Sequence, residues 1–295
     1  MAFPNEILLD IIPALPLASL IAAHGVDHNW RRLVAAANVL APRRELLDLY
    51  LTVVNSPWFL QTRPWVLENL QPFDREAYVA ALLTQYNPLP EAFELWLLEW
   101  PARAVIGGIW PGLPWDHIKD GDLDNVNALR GVNWLAPTTV QVSAITFAIP
   151  GCKHQFDFIP AILIRSNFGN IWLIVDDGED EREKGTLKFR NKVFSMDART
   201  YHLCDETGNF DPSCDVVDKD WIAFQRRIWD EVGERVSSGR RLCSMRNNYW
   251  RSKPRVDTIG APSWSTRCES HVPWCMSAFS VISQGLMATY SSGLA

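Results

Sequence analysis

The chain has 295 residues, 47% hydrophobic and 21% charged, with 14 Trp, 19 Pro, 16 Gly and 6 Cys, and a formal net charge of -6. This length suggests about two structural units, and the composition excludes a wholly disordered chain, a collagen-like fibre and a disulfide-dense miniature. The acidic balance gives no reason to expect nucleic acid as a partner, and so many Trp must be buried or used in binding.

Three short helices are predicted in the first forty residues. The first opens at Pro4 and carries Ile7, Leu8, Ile11, Ile12 and Leu15 at helical spacing, with Pro13 loosening its last turn. The second follows Pro16 with Leu17, Leu20 and Ile21, and is stopped by His24-Gly25. The third follows Asp27 as N-cap and runs through Trp30, Leu33 and Val34. At about 100° per residue the apolar arc of the first helix covers roughly 140°. Forty residues are too few to enclose that surface alone, so either the following chain or another protein covers it. The apolar run from Ile11 to Ala23 is too short, and too interrupted by Pro13 and Pro16, to span a bilayer. Acidic Glu6 and Asp10 argue against a secretory signal.

From Arg43 to about Trp110 the pattern stays helical. Leu46, Leu47, Leu49, Tyr50, Val53 and Val54 form one apolar face that ends at Ser56-Pro57. Shorter helices are predicted over Pro64–Leu70, Asp74–Tyr86 and Pro90–Trp100. Residues 106–115 read as a turn-rich aromatic loop holding Trp110 and Trp115, and the polar stretch Asp116–Arg130 as a flexible boundary. Strands are predicted over Thr139–Ile149, Phe158–Ser166, Ile171–Val175 and Thr186–Phe194, with an acidic turn over Asp176–Glu183 before the last. A helix over Val216–Val232 places Trp221, Phe224, Ile228 and Val232 on one face. Beyond Val236 periodicity is lost. Arg235 to Val256 holds seven basic residues and no acidic one, including Arg240, Arg241, Arg246, Arg251, Lys253 and Arg255, which reads as a loose basic tail.

Signals for chemistry are weak. No phosphate-cradling glycine loop, nucleophile elbow or His-Glu-x-x-His helix is present. Cys268, His271, Cys275 and Cys243 lack the tight pair spacing of structural zinc. The acidic turn lacks the ligand alternation of a calcium loop. Neither a metal nor a cofactor is expected. The six scattered Cys fit free thiols in a reducing compartment, cytoplasmic or nuclear.

Phe3-Pro4-Asn5-Glu6-Ile7-Leu8, then Leu15-Pro16-Leu17 and Leu20, then Val26 and Trp30-Arg31-Arg32-Leu33 together resemble an F-box. Phe3 stands where Leu is usual, and His24-Gly25 where a longer helical pair is common. Pro42-Arg43-Arg44, Phe73-Asp74-Arg75-Glu76-Ala77-Tyr78, Leu98-Glu99-Trp100-Pro101-Ala102-Arg103 and Trp110-Pro111-Gly112-Leu113 are similar to one group of fungal F-box proteins. Their second half resembles a cell-wall-assembly regulator (Smi/Knr) domain. The resemblance, over about residues 3–232, implies an α+β chain with an F-box over 1–45, a helical linker over 46–115 and an α+β domain over 116–236; composition alone marks 237–295 as a poorly ordered tail. It implies a non-catalytic substrate receptor of a ubiquitin ligase, docked on a Skp-type adaptor and through it a cullin, with no membrane or nucleic-acid partner. Its adaptor contacts would be Pro4, Ile7, Leu8, Ile11, Leu15, Pro16, Leu17, Leu20, Val26 and Trp30, with Trp30 as the main anchor. An unknown protein substrate would meet the aromatic loop at Trp110 and Trp115, or the neighbourhood of the acidic turn over Asp176–Glu183. Two rivals are a cell-wall-regulator-type scaffold with a degenerate F-box, and an enzyme whose site lies in the α+β half.

Overall fold

A computed structural model describes residues 4–115, 131–136, 141–148, 156–166, 169–176, 189–197 and 214–238. Among them, seven helices precede the sheet: α1 (Asn5–Ile11), α2 (Leu17–Val26), α3 (His28–Ala36), α4 (Ala41–Asn55), α5 (Arg63–Asn69), α6 (Arg75–Gln85) and α7 (Glu91–Glu99). Six strands follow, β1 (Val132–Asn133), β2 (Val142–Ala148), β3 (Phe156–Ser166), β4 (Gly169–Ile174), β5 (Val193–Asp197) and β6 (Cys214–Asp218), and then α8 (Trp221–Ser238). The fold is α+β, as expected. The polar stretch 116–130, most of the acidic turn (177–183), the start of the predicted strand at 186–188, the group Cys243, Cys268, His271 and Cys275, and the tail from 239 onward lie outside the described residues.

Local sequence sets the ends of the N-terminal helices. Pro13 cannot continue an α-helix, and α1 gives way at Ile12–Ala14 to a single 3-10 turn. Asp27 caps α3 as predicted, its Oδ1 accepting from the Trp30 N–H at 2.9 Å. Helix α2 runs one residue past His24-Gly25, to Val26. Three further helix ends are closed by side chains from distant elements. The Leu17 N–H at the start of α2 donates to Glu99 Oε2 on α7 at 2.7 Å. The same carboxylate takes Nε and Nη2 of Arg43 on α4, at 2.9 and 2.7 Å. Arg44 Nη2 donates to the Val34 and Ala37 carbonyls at the end of α3, at 2.6 and 3.0 Å. Arg75 of α6 closes the end of α7 on the Leu98 and Trp100 carbonyls, both at 2.9 Å. Orphan backbone groups at helix ends are thus satisfied by partners that also fix one helix against another.

All strand pairs are antiparallel, in the order β1-β3-β4-β5-β6, with β2 also on β3. Alternation along the strands gives the sheet two apolar faces. Ile162 and Ile164 of β3 and Leu173 of β4 join the main core with the helices, whereas Ile159, Ala161, Trp172, Ile174 and Phe194 form a second, smaller cluster. With both faces of its central strands apolar, β3 reads as a nearly continuous hydrophobic run.

The main core is continuous from Ile12 to Val232. It does not respect the expected boundaries at 45 and 115: Leu17, Leu46, Trp96, Leu173 and Trp229 belong to one buried cluster. The described residues all fall within one compact unit, Met1–Ser244. At its centre Trp96 meets Trp110 and Trp221 edge-on, each at 4.8 Å between ring centroids, and Phe93 meets Trp221 at 4.9 Å. Much of the tryptophan excess therefore serves burial. Three expectations are corrected. The strand predicted over Thr186–Phe194 begins only at Val193 among the described residues, because 189–192 form a turn closed by the Lys192 N–H on the Phe189 carbonyl at 3.0 Å. The helix predicted from Val216 is preceded by β6, because Cys214–Asp218 completes the sheet and the helix starts only after Asp220, whose carboxylate caps Ala223 at 2.7 Å. Residues 106–113, read as a loop with an aromatic contact surface, are buried. Gly107 and Gly108, at φ 62° and 70°, let the chain turn inward there.

The Glu99 carboxylate should therefore act as a keystone of the helical half. Glu99→Ala removes the acceptor for Leu17 and leaves half-buried Arg43 without its partner. We expect a loss of roughly 1.5–3 kcal/mol, the range of hydrogen bonds to charged groups. Urea denaturation with an unchanged m-value measures it, and Glu99→Gln, which keeps an acceptor, should lose less.

Candidate interaction surfaces

Helix α1 has two sides. Viewed down its axis at about 100° per residue, Leu8, Leu9 and Ile12 point one way and Ile7 and Ile11 another. Leu8 and Leu9 pack against the core and Ile12 lies within it, while Ile7 and Ile11 stay 45% and 47% exposed. Val26, at the end of α2, is 60% exposed. Leu40, Leu60 and Leu67 are likewise 44%, 78% and 52% exposed, so it is place on the first two helices, not exposure alone, that sets Ile7, Ile11 and Val26 apart.

The ten predicted adaptor contacts divide accordingly. Pro4, Ile7, Ile11, Pro16 and Val26 are exposed, and Leu8, Leu15 and Trp30 are half-buried against the core. Leu17 and Leu20 are corrected: both are 0% exposed, sealed within the cluster that includes Leu46 and Leu47 of α4 and Trp96 of α7. The sequence led to the opposite expectation because three helices alone could not cover such residues. The later helices do cover them. Trp30 likewise packs on the core and is not a freestanding anchor.

The substrate-side expectation also divides. Trp110 is corrected to a core residue: it is fully buried, edge-on to Phe73 at 5.6 Å, with the Arg75 guanidinium 5.0 Å from its ring centroid. Burial lowers the Arg75 pKa from its ordinary value, and the guanidinium is held by the α7 carbonyls it caps. Gly112, two residues on, sits so close to the Gln71 carbonyl that a Cβ would lie 2.2 Å from it. Trp115 emerges from this buried turn and is 49% exposed. It pairs edge-on, at 5.6 Å and 88°, with Trp134, itself 36% exposed.

Sequence reasoning did not single out Trp134. The available signal was the short apolar-polar run Val132-Asn133-Trp134-Leu135, which forms β1 and the turn after it. Both residues are fixed through their backbones, and the Trp134 ring by a side-chain bond as well. Asn133 N–H donates to the Trp115 carbonyl at 2.8 Å, and buried Asn133 Nδ2 to the Trp110 carbonyl at 2.8 Å. Trp134 N–H donates to the Ile164 carbonyl at 3.1 Å and its Nε1 to Ser166 Oγ at 2.7 Å.

Two polar arrangements complete the inventory. A small open cleft lies where α4, α7 and α8 all begin, lined by Pro42, Glu45, Pro90, Glu91, Asn191 and Asp220. Of its carboxylates, Glu91 lies in the first turn of α7 and Asp220 caps α8, where each complements the helix dipole. On the sheet side, Arg227 of α8 reaches Asp218 Oδ2 at 3.1 Å and also engages Glu231 one turn on. Burial raises the Asp218 pKa while Arg227 acts against that shift. Buried Arg165 of β3, beside this group, is pushed down to about 9, mainly by burial and further by Arg235. These groups pair with one another and close α8 on β6. Among the described residues no cluster of three or more His, Cys, Asp or Glu is placed to hold a metal ion, and no helix is long and apolar enough to cross a membrane. Comparison with protein-family models, curated proteins and solved structures finds no match.

The division of the N-terminal residues is measurable. Leu17→Ala should destabilise by about 2–5 kcal/mol, as large-to-small changes in a packed core do. Ile7→Ala should stay within about 0.5 kcal/mol. Equal effects in denaturant titrations would contradict the assigned faces.

Proposed function

We propose that this protein is a non-catalytic recognition subunit of a Skp–cullin–F-box ubiquitin ligase, holding an adaptor at its N-terminal helices and a protein substrate at the sheet-bearing half. The carrying observation is that Ile7 and Ile11 share one face of α1 outside the core, with Val26 exposed at the end of α2, within a segment that resembles an F-box. The docking surface is smaller than the resemblance alone implies. Ile7, Ile11 and Val26 contact the adaptor, Pro4, Leu8, Leu15 and Trp30 frame them, and Leu17 and Leu20 act from behind by holding the helices in place. Interfaces of this kind depend on a few apolar anchors that become fully desolvated on binding. Ubiquitin transfer itself belongs to partner proteins, and the chain works in the cytoplasm or nucleus.

A second reading is favoured by a different observation. Residues 1–45 share their core and the Glu99 carboxylate with later helices, as a scaffold with a degenerate F-box would. On that account the chain is an interaction protein of the cell-wall-regulator type.

Affinity purification of the full chain with a Skp-type adaptor separates the two. Ile7→Asp combined with Ile11→Asp should weaken adaptor capture by about a hundredfold, on the order of 1–2 kcal/mol per anchor, without shifting the melting temperature. Absence of any wild-type complex at micromolar concentration supports the scaffold. Undiminished capture by the double variant would place the docking surface elsewhere.

A further inference from the structure

We propose that the Trp115–Trp134 pair is a docking point for an arginine- or lysine-bearing segment of a protein ligand. This rests on the reading of the sheet-bearing half as the substrate-holding part and gives that substrate a chemical class. Large aromatic side chains exposed together and held rigidly are characteristic of contact surfaces, since little conformational entropy is lost when they are covered. Here the rigidity is built in: backbone bonds to Asn133 and Ile164 fix both residues, and Ser166 Oγ fixes the Trp134 ring. Because the Trp134 N–H is used within the protein, that ring offers a ligand its π-surface, which attracts cations.

The surrounding charge favours the same class. The first turn of α6 lies on this flank, since Tyr78 Oη donates to the carbonyl of Leu135, next to Trp134, and the Gln71 N–H donates to that of Gly112. The exposed charges of that turn are Asp74 and Glu76, while Arg75 is turned inward onto the α7 carbonyls and the Trp110 ring. The chain as a whole carries a net charge of -6. Among the described residues the protein uses this contact internally, with Arg63 over Phe59, Arg75 over Trp110 and Arg227 over Phe224. Trp115 and Trp134 offer the same chemistry to an outside cation.

The test titrates the full chain, without adaptor, against three labelled hexapeptides in which glycine alternates with arginine, serine or glutamate, read by fluorescence anisotropy at low and physiological salt. The arginine peptide should bind best. Trp115→Ala should weaken it by about five- to tenfold, within the cation–π range, while Trp115→Phe, which keeps a ring, should retain most of the affinity. Glu76→Lys should also weaken it. Equal binding of the serine peptide, or undiminished binding of the arginine peptide by Trp115→Ala, would overturn the assignment. Because no adaptor is present, neither result bears on the α1 surface, and loss of adaptor capture leaves this titration unaffected.

Discussion

One carboxylate organises the helical half of this molecule. Glu99, at the end of α7, accepts the first N–H of α2 and both arms of a guanidinium on α4. The pair is largely shielded from solvent, with Arg43 and Glu99 side chains 16% and 15% exposed, so each charge depends on the other for its hydrogen bonds. Glu99 also holds the Arg43 cation, whose pKa it raises through that hydrogen bond. Everything N-terminal inherits its orientation from this junction. Leu17 and Leu20 enter the shared core, α1 rests on that core through Leu8 and Leu9, and Ile7 and Ile11 are left facing outward.

The same principle operates at the other candidate surface. Trp110 is pulled inward by Phe73, Trp96 and Arg75, and this anchors the turn from which Trp115 emerges. Asn133 then ties that turn to β1 and so to the sheet. Both surfaces consist of a few exposed apolar groups on a rigid base. Such a layout suits recognition of other proteins, where most of the energy resides in a few desolvated anchors.

Much of the local structure was legible in the sequence because it is written in local chemistry. Asp27 announces a cap, Pro13 a helix end, and the runs around Ile145, Ile162 and Leu173 announce strands. What remained hidden was long-range. Nothing near Leu17 tells that Glu99, 82 residues later, closes the helix, or that Leu20 enters a core shared with later helices. The exposed aromatic pair was half legible. Trp115 stands out in a Pro/Gly-rich segment, but Trp110 in the same segment has the opposite fate, and it is the long-range tie of the Asn133 N–H to the Trp115 carbonyl that brings Trp134 beside Trp115. Strand β6 escaped notice because Cys214–Asp218 is short and runs directly into a strongly amphipathic helix.

Native-state hydrogen exchange on the full chain tests the central claim most directly. If Glu99 and the shared core bind α2 to α4 and α7, the amides of residues 17–23 open only with those of α4 and α7, at the free energy of the whole cooperative unit. Exchange of α2 in a separate, lower-energy opening, with α4 and α7 still protected, would show that the first helices form an independent module and would contradict the account.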